Sequence, residues 1–125
     1  MEQPSSCSER RQHPRFPVKL PLEYWESPAD VLMGGVLANI SEEGLRIDSV
    51  RSIRIGAELK IRIYVPKEEF TFGIIEGSGK ITWRNIRLER DWDGYRHGLC
   101  LTEMSAEDRE RLRQLLKHQE QESLQ

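Results

Sequence analysis

The segment running Leu59, Ile61, Ile63, Val65 carries an apolar side chain at every second position, with Lys60, Arg62 and Tyr64 between them and Gly56 and Pro66 as its brackets. A period of two belongs to a strand with one buried face, because successive Cβ atoms of an extended chain point to opposite sides of a sheet. Such a set cannot share one side of a helix. A chain built from repeats of this pattern has to close its strands against one another and bury the apolar faces inside.

The pattern does repeat. Val18, Leu20, Leu22 and Tyr24 alternate with Lys19 and Glu23, which predicts a first strand. Pro21 lies inside it and has no amide hydrogen, so this strand should sit at an edge or next to an unpaired position. Val31–Ile40 reads as a second strand and Gly44–Asp48 as a third, with Leu45 and Ile47 inward and a turn over Asn39–Gly44. Phe70–Ile75 and Lys80–Ile86 read as two strands, or as one bent at Gly77-Ser-Gly79, since glycines inside a strand pattern often mark bulges. Asp93-Gly94 predicts a hairpin turn into a last strand, Arg96–Thr102. Ser105, three residues before Asp108, resembles a capping box, and Leu112, Leu115 and Leu116 follow at helical spacing.

The chain has 125 residues, the size of one domain, and a formal net charge of −2 that creates no overall pull toward nucleic acid or an anionic membrane. The boundaries read from it are a disordered N-terminal tail over 1–9, an arginine arm over 10–16, a barrel over 17–103, a helix over 105–118 and a disordered C-terminal tail over 119–125. Met1–Ser8 is polar and lacks the apolar stretch of a secretory signal, and no apolar run reaches the roughly 20 residues needed to span a bilayer. A cytoplasmic protein without membrane insertion is the expectation. Cys7 and Cys100 are then expected as thiols in a reducing compartment.

Two short motifs stand out, in a fixed order. Arg11-Gln-His-Pro-Arg15 has R-x-x-x-R spacing just before the first strand, and Asn39-Ile-Ser41-Glu-Glu-Gly44 has N-x-S-x-x-G spacing at the second turn. Further on stand Gly79-Lys-Ile-Thr-Trp83 and Gly98-Leu-Cys-Leu101. With these elements in this order, from about Arg10 to Leu116, the sequence resembles the PilZ domain family, with Leu101 at a place where the family commonly has Phe. The resemblance implies an all-β fold, a six-stranded antiparallel β-barrel of the PilZ split-barrel type with a C-terminal α-helix. It also implies a receptor for cyclic di-GMP that changes conformation on binding, signals to a downstream protein not named by the sequence, and has no catalytic activity and no cofactor. The site residues it implies are Arg11 and Arg15 in the arm, and Asn39, Ser41 and Gly44 at the turn. Arg10 implies a stacked pair of ligand molecules. Trp83 is a candidate for stacking on a guanine and equally for packing against the core or the helix.

The residue chemistry agrees with that expectation. Cyclic di-GMP offers phosphates and guanine O6/N7 edges, and a planar guanidinium fork can engage either. In an extended arm Arg11 and Arg15 stand roughly 13 Å apart, enough to reach different parts of one ligand. Asn39 and Ser41, two apart, can point the same way and offer an amide and a hydroxyl; the competing reading is a polar turn that hydrogen-bonds itself. Gly44 is expected at a backbone geometry that a side chain would block.

Other signals are set aside. Arg96, at the start of the last strand, is a weaker candidate for ligand contact and reads first as a solvated charge. His97 and Cys100 sit at an odd spacing that sends them to opposite faces, and no histidines and cysteines stand at zinc-ligand spacing. Asn39-Ile40-Ser41 fits a glycosylation acceptor only in a secreted protein. Asp91-Trp-Asp93-Gly94 lacks the remaining ligands of a calcium loop. The alternative function is a PilZ-like protein-interaction adaptor that binds no nucleotide. Binding of flavin would colour the protein yellow, and binding of single-stranded nucleic acid would require aromatics interleaved with basic residues on one face, which the sequence lacks.

Overall fold

The computed structural model describes residues 16–26, 31–89 and 92–123. The alternating segments form six strands: β1 Phe16–Trp25, β2 Met33–Ile40, β3 Gly44–Ser49, β4 Glu58–Pro66, β5 Phe72–Glu89 and β6 Trp92–Glu103. All neighbours are antiparallel, and the strands close into a barrel in the order β1-β2-β3-β6-β5-β4. Closure is made by Leu22–Trp25 of β1 against Lys60–Ile63 of β4. The expected barrel and its strand number are therefore observed.

Inward positions fill the lumen with branched side chains. Leu22, Leu37, Ile47, Ile61, Ile63, Ile81 and Leu99 are all buried, and Tyr24 places its hydroxyl 2.8 Å from Ser49 Oγ so that neither core polar group is left unmatched. Pro21 pairs with Val36 of β2, while the ladder to β4 begins only at Leu22. The residue without an N–H thus stands beside a position with no β4 partner, as its chemistry required.

The long β5 is one strand rather than two. Its register against β6 shifts between Ser78 and Gly79 and again between Ile81 and Trp83. At Gly79 a Cβ would stand 2.7 Å from the Cys100 carbonyl oxygen, so the bend depends on glycine. Two further expectations need correction. Asp93 and Gly94 pair with Leu88 and Arg87 inside the β5–β6 ladder, so they lie in β6 and not in its hairpin turn. Cys100 is disulfide-bonded rather than a thiol, and Cys7 lies outside the described residues.

Helix α1, Ala106–Ser123, starts as its cap predicts but continues past the end at 118 read from the sequence, so 119–123 are helical and not a disordered tail. Ser105 Oγ accepts from the Asp108 amide at 3.1 Å and donates to the Asp108 carboxylate at 2.9 Å. Leu112 and Leu116 are buried against the barrel and Leu115 is half-buried, which fixes the helix by its apolar stripe. No helix among the described residues is long and apolar enough to cross a membrane.

Candidate functional site

The outer wall of the barrel is organised by the same pairing that fills its core. Where Leu37, Ile47 and His97 point inward, the outward residues line up across strands as Pro17–Asn39–Arg46–Gly98–Trp83, running from β1 through β2, β3 and β6 to β5. One step along the strands a second row reads Pro21–Val36–Asp48–Arg96–Asn85. Asn39 and Trp83, both candidates from the sequence, thus share one row and are three inter-strand steps, roughly 14 Å, apart.

Trp83 is 37% exposed. Its indole lies across Gly98, where a Cβ would come within 2.0 Å of Nε1. Gly98 therefore lets one side of the ring rest on backbone. The tryptophan packs on the outer wall and not in the core.

Ser41 and Gly44 close the corner between β2 and β3. The Ser41 hydroxyl is buried: it accepts from the Gly44 amide at 3.1 Å and the Glu43 amide at 3.4 Å, and lies 3.2 Å from the Gly44 carbonyl. The Ser41 amide donates to that carbonyl at 3.0 Å. In this state the serine serves the turn. Gly44 is the first residue of β3, pairs with Cys100, and does not have a positive φ. Arg109 Nη1 of the helix donates to the Glu42 carbonyl at 3.1 Å and ties the corner to α1. Arg10, Arg11 and Arg15 lie outside the described residues. The chain enters β1 at Phe16 and Pro17, which pair with Ile40 and Asn39.

Sequence reasoning missed most of the charge on this wall. Asp48 has a side chain only 3% exposed, yet it is on the outer face, where Arg87 donates to Oδ2 and Arg96 Nε stands 3.5 Å from Oδ1. Arg96 is thus paired, which corrects its reading as a solvated charge. Arg46 lies between Asn39 and Gly98 in the first row. The signal for Arg46 and Asp48 was available: in the Gly44–Asp48 strand they occupy the outward positions between Leu45 and Ile47.

His97 is wholly buried on the inward face. Its Nε2 accepts from the Ile53 amide at 3.0 Å and its Nδ1 is 3.4 Å from the Ile47 carbonyl. Burial pushes its pKa below the ordinary 6.5, with Arg84 adding to the effect and the Ile47 carbonyl and Asp48 opposing it. It anchors the segment after β3. Among the described residues, no three His, Cys, Asp or Glu side chains are grouped to hold a metal ion.

Comparison with known proteins agrees with this geometry. Residues 9–118 match the family described as PilZ domain. No curated protein matches the sequence significantly. Among solved structures, the PilZ domain of YcgR from Escherichia coli, solved with c-di-GMP, is similar at a TM-score of 0.73 and 12% identity, covering 91% of this chain and 94% of that one. The Bacillus subtilis inhibitor of motility MotI/DgrA is similar at a TM-score of 0.70 and 22% identity, over 92% of this chain and 52% of that one. MrkH of K. pneumonia in its apo state is similar at 0.70 and 14% identity, over 91% and 53%. The chain spans about half the length of MotI and MrkH. With the match extending over most of its residues, and with the barrel order, corner and capped helix in place, the chain belongs to the PilZ domain family.

Proposed function

We propose that this protein is a cyclic di-GMP receptor in which the arm over 10–16 folds onto the outer wall beside the Asn39–Gly44 corner. Arg11 and Arg15 clamp the ligand, Asn39, Ser41 and Gly44 bound its pocket at the corner, and Trp83 stacks on a guanine. Arg10 adds the donor for a second, stacked molecule. The reading assigns no catalytic step. Its output is an altered surface offered to a downstream protein.

One observation carries the reading. The register pairs Phe16 with Ile40 and Pro17 with Asn39, so the chain leaves the barrel at the corner that bears the second motif. Arg15 precedes Phe16 directly, and Arg11 is four residues further along a tether of at most about 14 Å. A strap attached elsewhere on the barrel would have to cross it. The YcgR domain, solved with c-di-GMP, supports the ligand class.

Calorimetric titration with cyclic di-GMP at moderate salt tests this. Heat of binding at micromolar protein is expected, and Arg11→Ala or Arg15→Ala should each weaken it at least tenfold, since a hydrogen bond to a charged group contributes about 1.5–3 kcal/mol. Silence of the wild type, or indifference to both substitutions, would defeat it. One observation favours a second reading, an adaptor that binds protein and no nucleotide: the Ser41 hydroxyl is turned into its own corner. Silent titration together with a partner recovered by pull-down would select that reading.

A further inference from the structure

We propose that Arg96, set by the buried carboxylate of Asp48, is the fork that reads the O6/N7 edge of a guanine lying on Trp83. This rests on the receptor reading above and adds to it the residue that selects the base.

The geometry is specific to β6. Arg96 and Gly98 are two apart and face outward together, and Gly98 lies under the Trp83 indole. Trp83 and Arg96 are therefore diagonal neighbours across the β5–β6 ladder, roughly 7–8 Å apart at Cα, a gap that an arginine side chain spans. A purine stacked on the outward face of the indole would bring one edge over the guanidinium.

Asp48 explains the orientation. Its side chain is buried, and its Oδ1 and the Arg96 Nε are buried atoms that face each other at 3.5 Å without forming a hydrogen bond. A charged pair left this loose is costly. The approach of Nε to Oδ1 leaves the two terminal nitrogens of Arg96, whose side chain is 31% exposed, as the edge presented outward. That edge carries two parallel donors. Guanine presents two acceptors, O6 and N7, at matching spacing, whereas adenine replaces one of them with an amino donor. A phosphate would also accept both; what favours the base edge is the neighbouring Trp83 ring, on which a purine stacks and a phosphate does not.

The test is calorimetry on wild type, Arg96→Ala, Arg96→Lys and Arg84→Ala. The ligands are cyclic di-GMP and its analogue with carbon in place of guanine N7. Arg96→Ala should weaken cyclic di-GMP binding roughly 10- to 100-fold. Arg96→Lys, which keeps the charge and loses the fork, should restore only a small part. Arg84→Ala removes an equal charge from a side chain bonded to Ser52 on the other face of the ladder, and should bind as wild type does. The N7 substitution should weaken wild-type binding by about tenfold, and that penalty should shrink in Arg96→Ala. An unchanged penalty in Arg96→Ala, or full rescue by lysine, would overturn the base-reading role. If the wild type binds neither ligand, the receptor reading falls and takes this one with it; if it binds and Arg96→Ala binds equally well, only this inference falls.

Discussion

His97 shows how a single buried side chain can set a pH limit on a barrel. Its Nε2 can accept from the Ile53 amide only while unprotonated, so the proton of the neutral ring belongs on Nδ1, toward the Ile47 carbonyl. Protonation would turn that acceptor into a donor facing an N–H, inside an apolar wall. The folded pKa is accordingly lowered, burial being the main cause. In the unfolded chain the ring returns to about 6.5. Below that pH the unfolded state holds the extra proton, so the stability contributed by His97 is complete above about pH 7.5 and is lost as pH falls through the native pKa. His97→Gln, whose amide oxygen can still accept, should lower stability at pH 7.5 by about 1–3 kcal/mol. It should also flatten the fall in Tm that the wild type shows between pH 7 and pH 5. Scanning calorimetry of both proteins across that range checks it, and parallel profiles would remove His97 as the titrating group.

At the scale of elements, what a short window of residues determines could be read and what the ladder determines could not. The alternation at Leu59–Val65 located β4, the glycines at 77 and 79 located the bend in β5, and Ser105 with Asp108 located the start of α1. Each is decided by side chains within a few positions of one another. Asp93-Gly94 misled because a good turn dipeptide can be overruled when the partner strand continues: Leu88 and Arg87 pair with it, and the ladder runs on to the Glu89–Trp92 pair. Phe70 misled in the opposite sense. Its β-forming character suggested a strand, yet it occupies the β4–β5 turn with φ at 69°, 95% exposed, while the Lys67 amide bonds to the Thr71 carbonyl at 3.1 Å. A non-glycine residue there costs roughly 1–2 kcal/mol of backbone strain and this side chain recovers nothing by burial. Phe70→Gly should therefore raise stability in urea by about 1 kcal/mol with an unchanged m value. A loss of stability would mean that the phenyl ring makes contacts of its own in solution.

For the whole molecule, the strand order β1-β2-β3-β6-β5-β4 joins segments far apart in sequence, and periodicity alone does not specify such pairings. The resemblance carried by the two motifs supplied the barrel type, but not the wall of Arg46, Asp48, Arg87 and Arg96, because those side chains meet only after β3, β5 and β6 are laid together. The same closure links the corner to the helix. The Glu43 carbonyl accepts from the Leu101 amide at 3.0 Å, and the Glu42 carbonyl accepts from Arg109 at 3.1 Å, so two adjacent residues of the corner are held by β6 and α1 respectively. A ligand that tightens the corner should then be felt one helical turn into α1. Hydrogen exchange with and without cyclic di-GMP would read this as slower exchange at Ile40–Leu45 together with slower exchange over Ala106–Arg113. In Arg109→Ala the response of the corner should persist, with affinity changed less than threefold, while the response of the helix shrinks, because the removed side chain provides the hydrogen bond from α1 to Glu42 and only the looser Arg113–Glu42 ion pair at 3.9 Å remains. Slowing of the helix to the same extent in both proteins would show that the message reaches it through the barrel core instead, by way of Leu112 and Leu116.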